Sequence, residues 1–363
     1  MRTPLELLHP PLDRPSGGNV YDRCLLQAAA RCGFPLSSVV VRPDEVEARF
    51  RERTPAFRVW DGLLLEPLAR RRALEPGNRA VLLHWLPSLD PAVDATERAR
   101  RASIERAIVE AAVLVLVPGE AIRRTLQRQH PGRTIVRCEP GLREPFLVPR
   151  RPRRRRAGAA VELLTVSNLL PAKGLLELLP TLASLRSLPW RWHLVGDGGA
   201  DPEYSRSFDE TSRRLGLAAR LVRHGPLEAR AIVERMDLAD VFVFPSRHES
   251  YGMALAEAAA RSLPAVACRV GDAGRLYRDG IDALLVPVGD GDSVREALRR
   301  AIADGSLRAR LRTNLESRAP ARRWDEAFEE FAAATLGAAR SSSRLFRPDA
   351  SATCLPQWSR GRE

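Results

Sequence analysis

The sequence predicts an α/β protein made of two doubly wound, Rossmann-like domains that face a central cleft. Short apolar runs of strand type alternate along the chain with segments whose apolar residues recur at three and four positions, as in amphipathic helices. This alternation is typical of parallel sheets covered by helices on both faces. A length of 363 residues accommodates two such domains, each with its own core. Ligands of such sheets bind beyond the carboxyl ends of the strands, so functional residues are expected in the loops that follow strands.

The first domain is predicted over residues 1–148. Its strands are expected at 5–8, 38–41, 58–65, 80–86, 112–117 and 135–138. Helical periodicity favours helices over 19–30, 95–111 and 120–129.

The second domain is predicted over residues 160–318 and repeats the pattern. Its strands are expected at 161–167, 191–195, 220–223, 241–245, 265–268 and 283–286. Its helices are expected at 174–185, 203–215, 229–236, 253–261 and 293–303. The segment 319–336 carries a last amphipathic helix, over 322–334. Residues 337–363 are rich in Ser, Pro and Arg, so this tail is expected to be disordered.

A linker over residues 149–159 is predicted between the domains. The surrounding stretch contains three prolines and an arginine-rich run at 150–156, which excludes a buried strand or a stable helix. This run contributes six arginines to a net charge of +13. A basic segment suits an anionic partner, and an arginine-rich genome produces the same charge with no partner at all. Because the run lacks interleaved aromatic residues, no nucleic acid partner is expected, and peripheral contact with an anionic membrane fits it better.

The composition excludes several other classes of protein. The apolar stretches are too short to cross a bilayer and the N-terminus has no signal-peptide core, so a cytoplasmic protein is expected, with membrane association through the basic run. The five cysteines are scattered without CxxC spacing, which indicates neither a disulfide framework nor a zinc site. An NAD-dependent oxidoreductase would need G-x-G-x-x-G after an early strand, and the glycines at 196, 198 and 199 do not give that spacing.

The segment 239–258 carries the strongest functional signal. An apolar strand ends at Pro245, a short polar loop follows, and a helix begins near Gly252 and Met253. The free N–H groups of a helix N-terminus suit a diphosphate, and a glycine there lets the phosphate approach the backbone closely. Glu249 in the loop and Glu257 in the helix supply carboxylates for sugar and ribose hydroxyls. The pattern predicts a clamp for a nucleotide-diphosphate sugar.

This segment resembles the Glu-x7-Glu signature of the family four retaining glycosyltransferases (glycosyl transferases group 1), which have the GT-B fold. Segments 164–174, 192–198 and 280–287 resemble, in order, the family's strand with a Lys-Gly turn, its next strand and loop, and a later glycine-to-strand segment. Weaker matches are the paired glycines of 15–21 and the Pro-Gly of 139–141. The resemblance is strong over 161–287, about a third of the chain, and implies that the last helix crosses back onto the first domain.

The resemblance implies a role for each matching residue. Lys173 is expected to hold the diphosphate, Glu249 the donor sugar's hydroxyls, and Glu257 the ribose. His84 ends a predicted strand where the family often has a histidine that faces the donor sugar, although a lone histidine at a strand end is more often structural. An ion pair with Arg261, one turn further along the helix, is the competing interpretation for Glu257. The other residues expected at the donor are Gly17, Gly18, Asn168, Gly252 and Met253.

The function implied by the resemblance is a retaining glycosyltransferase, which moves a hexose-type sugar from a nucleotide-diphosphate sugar donor to an unknown acceptor. The front-face mechanism implied by the resemblance needs no carboxylate nucleophile on the protein. The protein's work is therefore to position the reactants and to stabilise the negative charge on the departing diphosphate. We expect neither a metal nor another cofactor, because no DxD metal motif is evident near a strand end. Asn168, Ser250 and Arg275 stand where the family commonly has an arginine, a glycine and a glutamate. These departures leave open a non-catalytic or repurposed GT-B protein, which would bind nucleotide sugars or an anionic partner.

Overall fold

The computed structural model describes residues 4–13, 16–70, 74, 79–90, 92–150, 158–318 and 322–345. The strands of the first half are β1 (Leu5–His9), β2 (Leu36–Val40), β3 (Phe57–Asp61), β4 (Arg79–Leu82), β5 (Leu114–Val117) and β6 (Ile135–Arg137). Its helices are α1 (Gly17–Arg31), α2 (Val46–Arg51), α3 (Gly62–Arg70), α4 (Ala95–Glu110), α5 (Glu120–Gln129) and α6 (Glu144–Leu147). Every predicted strand and helix of this half is present, with shifted ends.

The second half continues the alternation. Its strands are β7 (Val161–Val166), β8 (Trp190–Val195), β9 (Leu221–Gly225), β10 (Val241–Phe244), β11 (Ala265–Cys268) and β12 (Ala283–Val286). Its helices are α7 (Leu175–Ser184), α8 (Pro202–Arg214), α9 (Ala229–Leu238), α10 (Met253–Ala260), α11 (Ala273–Leu276), α12 (Gly291–Ala303), α13 (Gly305–Glu316) and α14 (Trp324–Leu345). Among the described helices, none combines the length and the apolar character that crossing a membrane requires.

The strands form two six-stranded parallel sheets, which confirms the predicted fold class. The first sheet has the order β2-β1-β3-β4-β5-β6 and the second the order β12-β11-β10-β7-β8-β9. The chain reverses its direction of travel across the sheet between β1 and β3 in the first sheet, and between β7 and β10 in the second. In doubly wound sheets a crevice opens at such a switch point, beyond the carboxyl ends of the two strands.

Each sheet is buried on both faces. Leu7 and Leu8 of β1 belong to different apolar cores, and so do Leu163 and Leu164 of β7. Successive residues of a strand point to opposite faces, so a strand covered on both sides becomes a continuous apolar run. This is why the strands could be located from the sequence.

Helix α14 packs on the first domain. Trp324 and Phe331 are buried in one core of the first sheet, and the ring of Trp324 meets that of Tyr21 with centroids 5.1 Å apart. The predicted disordered tail from residue 337 was wrong over its first part, because α14 continues to Leu345. Ala339 is still buried against the same core, which extends the helix. The rest of the predicted tail, 346–363, lies outside the described residues.

Two further predictions need correction. The run 58–65 is a strand only as far as Asp61, whose carboxylate accepts the N–H of Leu63 at 2.8 Å as the backbone turns into α3. Helix α13 was missed, although Leu307, Leu311 and Leu315 recur at helical spacing and are buried. The apolar content of 58–65 indicated a buried segment. Only Asp61, which bonds to the backbone at the start of α3, marks the change from strand to helix.

Candidate functional site

The switch point of the second sheet brings the loop after β7 against the loop after β10. Gly174 has φ of +66°, and a Cβ atom there would lie 2.3 Å from the carbonyl oxygen of Pro245. The carbonyl oxygen of Ala172 accepts the N–H groups of Arg247 at 2.8 Å and His248 at 3.1 Å. Only glycine permits both the left-handed backbone and this close approach. The Lys-Gly turn is thereby fixed to the polar loop that precedes α10.

Lys173 and Glu249 meet at this contact. Lys173 Nζ donates to Glu249 Oε1 at 2.5 Å, and the hydroxyl of Ser246 donates to the same oxygen at 3.2 Å. The lysine side chain is 24% exposed and the glutamate side chain 16%, so neither is sealed in a core. The structure therefore joins two residues, 76 positions apart, that the sequence assigned to one site.

Helix α10 begins directly after Gly252, which has φ of +103°. Gly252 has no side chain to cap this end of the helix, and the first N–H groups of α10 have no hydrogen-bond acceptor among the described residues, so they can serve a ligand and the helix dipole favours a negative one. Met253, the first residue of the helix, packs against a core of the first domain. The start of α10 therefore lies where the two domains meet.

Glu257 is buried, with 5% of its surface exposed. Its Oε1 accepts hydrogen bonds from Arg143 Nε at 3.0 Å and Nη2 at 2.7 Å. Burial raises the pKa of the Glu257 carboxyl, and the arginine opposes that rise. The competing interpretation, an ion pair with Arg261, was wrong: Arg261 is buried against Asp237, with a closest distance of 2.7 Å.

Asn168 links two loops of the second domain. Its side-chain oxygen accepts the N–H of Asp197 at 3.0 Å, and the carbonyl oxygen of Asp197 accepts the N–H of Leu169 at 2.9 Å. Gly196, one residue earlier, has φ of +154°, and a Cβ atom there would lie 1.9 Å from the carbonyl oxygen of Ser167. The amide thus holds the loop after β7 to the loop after β8, which an arginine at this position would not do in the same way.

His84 lies at the carboxyl edge of the first sheet, after β4. Its Nε2 is 3.0 Å from Asp22 Oδ1, in α1, and 3.8 Å from Asp61 Oδ2, at the end of β3. A Cβ atom on Gly18 would lie 3.1 Å from the His84 ring, so α1 approaches closely there, whereas Gly17 faces open space. Beside it, Trp85 contacts His248 of the second domain, with ring centroids 6.2 Å apart. The histidine and the Lys173–Glu249 pair therefore belong to adjoining walls of the cleft.

Residues 160–304 match the family model described as glycosyl transferases group 1. A D-inositol 3-phosphate glycosyltransferase from Geodermatophilus obscurus is 31% identical over 280 residues, which cover 73% of this chain and 61% of the relative. Residues 160–304 therefore form a glycosyltransferase domain of group 1 type. A D-inositol 3-phosphate glycosyltransferase from Xylanimonas cellulosilytica is 35% identical over 148 residues, or 40% of this chain and 35% of the relative. The matched part of the chain spans less than two thirds of either relative.

Solved structures of low sequence identity share the fold of this chain. The sucrose-phosphate synthase of Thermosynechococcus elongatus superposes with a TM-score of 0.73 at 18% identity, over 95% of this chain and 99% of that one. Anabaena HepE, solved in complex with UDP and glucose, superposes with a TM-score of 0.64 at 17% identity, again over 95% and 99% of the two chains. At these identities the likeness shows the GT-B fold alone.

Two residues beside the candidate site were not predicted. Asp22 and Asp61 are both buried beside His84, and Asp22 Oδ2 is buried without a hydrogen-bond partner among the described residues. A signal for Asp22 was present, because it shares the apolar face of α1 with Leu25 and Ala29. Charged residues are rarely placed on such a face without a function or a partner.

One Asp-x-Asp sequence does lie near a strand end. Asp290-Gly291-Asp292 follows β12, but Asp290 caps α12 by accepting the N–H and the hydroxyl of Ser293, at 2.9 and 2.6 Å. Asp292 pairs with Arg295 at 3.0 Å on the surface. Within the described part of the chain, the acidic and histidine side chains that converge closely enough for a metal ion are Asp22, Asp61 and His84. There the imidazole already lies beside both carboxylates.

Proposed function

We propose that this protein is a retaining, metal-independent glycosyltransferase, which moves a hexose-type sugar from a nucleotide-diphosphate sugar to an acceptor. The proposal depends on one observation: Lys173, Glu249 and the uncapped start of α10 converge at the switch point of the second sheet. A cation, a carboxylate and a helix N-terminus match the diphosphate and the hydroxyls of such a donor. The family match and a structural neighbour solved with UDP and glucose support the same class of ligand.

In the proposed donor complex, the diphosphate lies between Lys173 and the first N–H groups of α10. Glu249 then exchanges its lysine partner for hydroxyl groups of the donor sugar. Glu257, five residues after Gly252 on the same helix, accepts the ribose hydroxyls. Gly252 allows the phosphate to approach the backbone, because a side chain there would stand over the helix start.

The reaction follows the front-face course. The acceptor hydroxyl attacks the anomeric carbon while the bond from that carbon to the diphosphate oxygen breaks on the same face. The hydroxyl proton passes to the departing phosphate oxygen, so no protein nucleophile forms a covalent intermediate. Lys173 and the dipole of α10 stabilise the charge that develops on the diphosphate, which is the task that a metal ion performs in other enzymes.

A thermal-shift panel of UDP, GDP and ADP sugars tests the donor site. A true donor at a hundred times its Kd stabilises a protein by about 2.7 kcal/mol, and the free sugars should give no shift. Stabilisation by none of the nucleotide sugars would exclude the proposed function. Acceptor candidates are then screened with the donor found, beginning with D-inositol 3-phosphate, which the names of the curated relatives suggest.

The sole lysine of the chain gives a direct probe of the same site. Reductive methylation with ¹³C-formaldehyde labels only Lys173 and the N-terminal amine, and it retains the charge. Adding the donor should move the Lys173 methyl signals and leave the N-terminal signals in place. Equal movement of both signals, or of neither, would place the diphosphate elsewhere.

The stereochemistry and the metal requirement are tested on the product. We expect the new glycosidic bond to keep the anomeric configuration of the donor, as read from the proton coupling constant, and activity to persist in EDTA. Inversion would contradict the front-face course. Loss of activity in EDTA with recovery on adding Mg²⁺ or Mn²⁺ would contradict metal independence.

Contact of the basic run 150–156 with an anionic membrane is a second part of the proposal. Arg150 is the one member of the run among the described residues, and its Nη2 donates to the carbonyl oxygen of Asp237 at 3.1 Å. Membrane binding therefore depends on residues 151–156. Each basic residue near a charged surface contributes about 1 kcal/mol of binding free energy. Co-sedimentation with liposomes should increase with anionic lipid and decrease with salt; binding insensitive to both would dismiss it.

A further inference from the structure

The histidine of the first sheet is held by two carboxylates from different elements. Asp22 belongs to α1 and Asp61 ends β3, and both approach His84 Nε2, at 3.0 and 3.8 Å. Asp22 has no exposed surface and Asp61 has 2%. Two buried carboxylates beside a neutral imidazole carry two uncompensated negative charges, and protonation of the imidazole neutralises one of them.

The other polar groups around His84 already have partners. On one side the Tyr21 hydroxyl donates to the carbonyl oxygen of Cys138 at 2.8 Å. On the side of α3 and α4, Glu66 pairs with Arg70, Arg101 pairs with Glu97, and Glu105 accepts bonds from Ser88. Asp22 and Asp61 are therefore the charges that act on the imidazole.

The charge balance favours the protonated imidazole. Burial lowers the pKa of His84, but the two carboxylates outweigh it and raise the pKa to about 9. Burial raises the pKa of Asp61 to about 6, with His84 opposing that rise. Because the pKa of His84 is raised on folding, its stabilising contribution is present below about pH 6.5 and is lost as the pH rises through about 9.

The geometry also leaves one nitrogen free. Nε2 is directed at the carboxylates, and Nδ1 has no hydrogen-bond partner among the described residues. Gly18 packs against the Cδ2 side of the ring, where a Cβ atom would lie 3.1 Å away, so the ring cannot turn freely. The next residue, Trp85, contacts the loop that carries Glu249.

We propose that Asp22 and Asp61 are positioning residues, which keep both nitrogens of His84 protonated so that Nδ1–H donates to an oxygen of the bound donor. This inference rests on the proposed function for its ligand and goes beyond it in assigning the charge state and its cause. His84 then acts as a fixed cationic donor of a hydrogen bond. It does not act as the base that removes the acceptor proton.

The first test reads the charge of His84 without any reaction. In ¹³C-labelled protein, the imidazole Cε1–H signal of His84, assigned with His84→Gln, should titrate near pH 9. In Asp22→Asn, whose amide oxygen still accepts from Nε2, the titration should move down by about one pH unit or more. Asp61→Asn is the second variant in case the first does not fold. The matched control is Asp44→Asn, which removes an exposed carboxylate outside the site and should move nothing.

The second test uses hydrolysis or transfer of the donor, with UDP-glucose as the probe. The kcat/KM of Asp22→Asn should lie within about twofold of the parent at pH 6.5 and fall about threefold or more below it at pH 8.5. If Asp22 only supported the fold, its substitution would lower kcat/KM equally at both pH values. That result would overturn the proposal.

The outcomes separate this inference from the proposed function. Titration of His84 near pH 6.5, or at the same pH in the parent and in Asp22→Asn, overturns the inference whatever the activity. A shifted titration with no stabilisation by any nucleotide sugar supports the charge assignment and removes the proposed function. Stoichiometric zinc or manganese on the purified protein, lost in Asp22→Asn, would show that a cation occupies the cluster and would overturn the inference.

Discussion

Lys173 is the only lysine in the chain, although lysine and arginine together number 58. All the other residues in that count are arginines, so the lysine at position 173 is an exception in this chain. The ammonium group is a compact point charge with three donors, whereas guanidinium is a planar fork. At the junction of two loops fixed by Gly174 and Pro245, the compact group fits beside Glu249.

Replacing Lys173 tests the diphosphate role at the scale of one residue. Lys173→Ala should lower donor kcat/KM by the equivalent of about 1.5–3 kcal/mol, the value of a charge-assisted hydrogen bond. Lys173→Arg restores the charge but not the shape, and should recover part of the loss. An unchanged kcat/KM in the alanine variant would reject the assignment.

Glu257 differs from Lys173 because its carboxylate is buried and already paired. Glu257→Gln should raise the KM for the donor and leave the KM for the acceptor unchanged, since the ribose belongs to the donor. The matched control is Arg143→Gln, which breaks the same ion pair without removing the carboxylate. A rise in donor KM of equal size in both variants would assign Glu257 to the ion pair alone.

At the scale of the element, the loop after β7 depends on a glycine. Gly174→Ala would place a methyl group 2.3 Å from the carbonyl oxygen of Pro245, so the two site loops must separate. Gly216 is the matched control, because it has nearly the same φ, +68° against +66°, and no atom within 4 Å of its would-be Cβ. Urea unfolding should show a cost of about 1 kcal/mol for Gly216→Ala, from backbone strain, and about 1–3 kcal/mol more for Gly174→Ala.

Equal costs for the two glycine variants would mean that the loops accommodate the methyl group. In that case the close approach would not be what fixes Lys173 beside Glu249. Donor affinity provides the second measurement: it should fall in Gly174→Ala and stay constant in Gly216→Ala, which lies beyond α8 and outside the site.

At the scale of the whole molecule, a carboxylate of the second domain caps a helix of the first. Asp272 accepts the N–H groups of Glu120 and Ala121, at the start of α5, at 2.8 Å each. The contact is tight, because a Cβ atom on Gly119 would lie 2.2 Å from the carbonyl oxygen of Ser250. Ser250 belongs to the donor loop, so closure of the domains and the shape of that loop are linked.

Asp272→Ala should therefore loosen the closed arrangement. We expect faster amide hydrogen exchange at Glu120 and Ala121 and a larger radius of gyration in solution scattering. Asp94→Ala is the matched control, because Asp94 caps α4 within one domain by accepting the N–H of Glu97 at 2.8 Å. The control should cost about 1 kcal/mol of stability without changing the radius. The same radius in both variants would show that other contacts hold the domains.

The sequence by itself determined the local structure and the second-domain motif. The central strands are buried on both faces and form continuous apolar runs, which made them easy to locate, and the fold class followed from the alternation of strands with helices. Lys173, Glu249 and Gly252 were found because they follow strands in a recognisable order. Their meeting at one switch point follows from the strand order.

Only the tertiary structure decided which distant side chains became partners. Arg143 for Glu257, Asp22 and Asp61 for His84, and Asp272 for α5 come from segments that no spacing rule connects. Periodicity reports how a residue faces its own element, whereas a buried ion pair depends on where two elements cross. Tertiary packing also decides the length of α14. This helix continues past residue 336 because the core of the first domain buries Ala339.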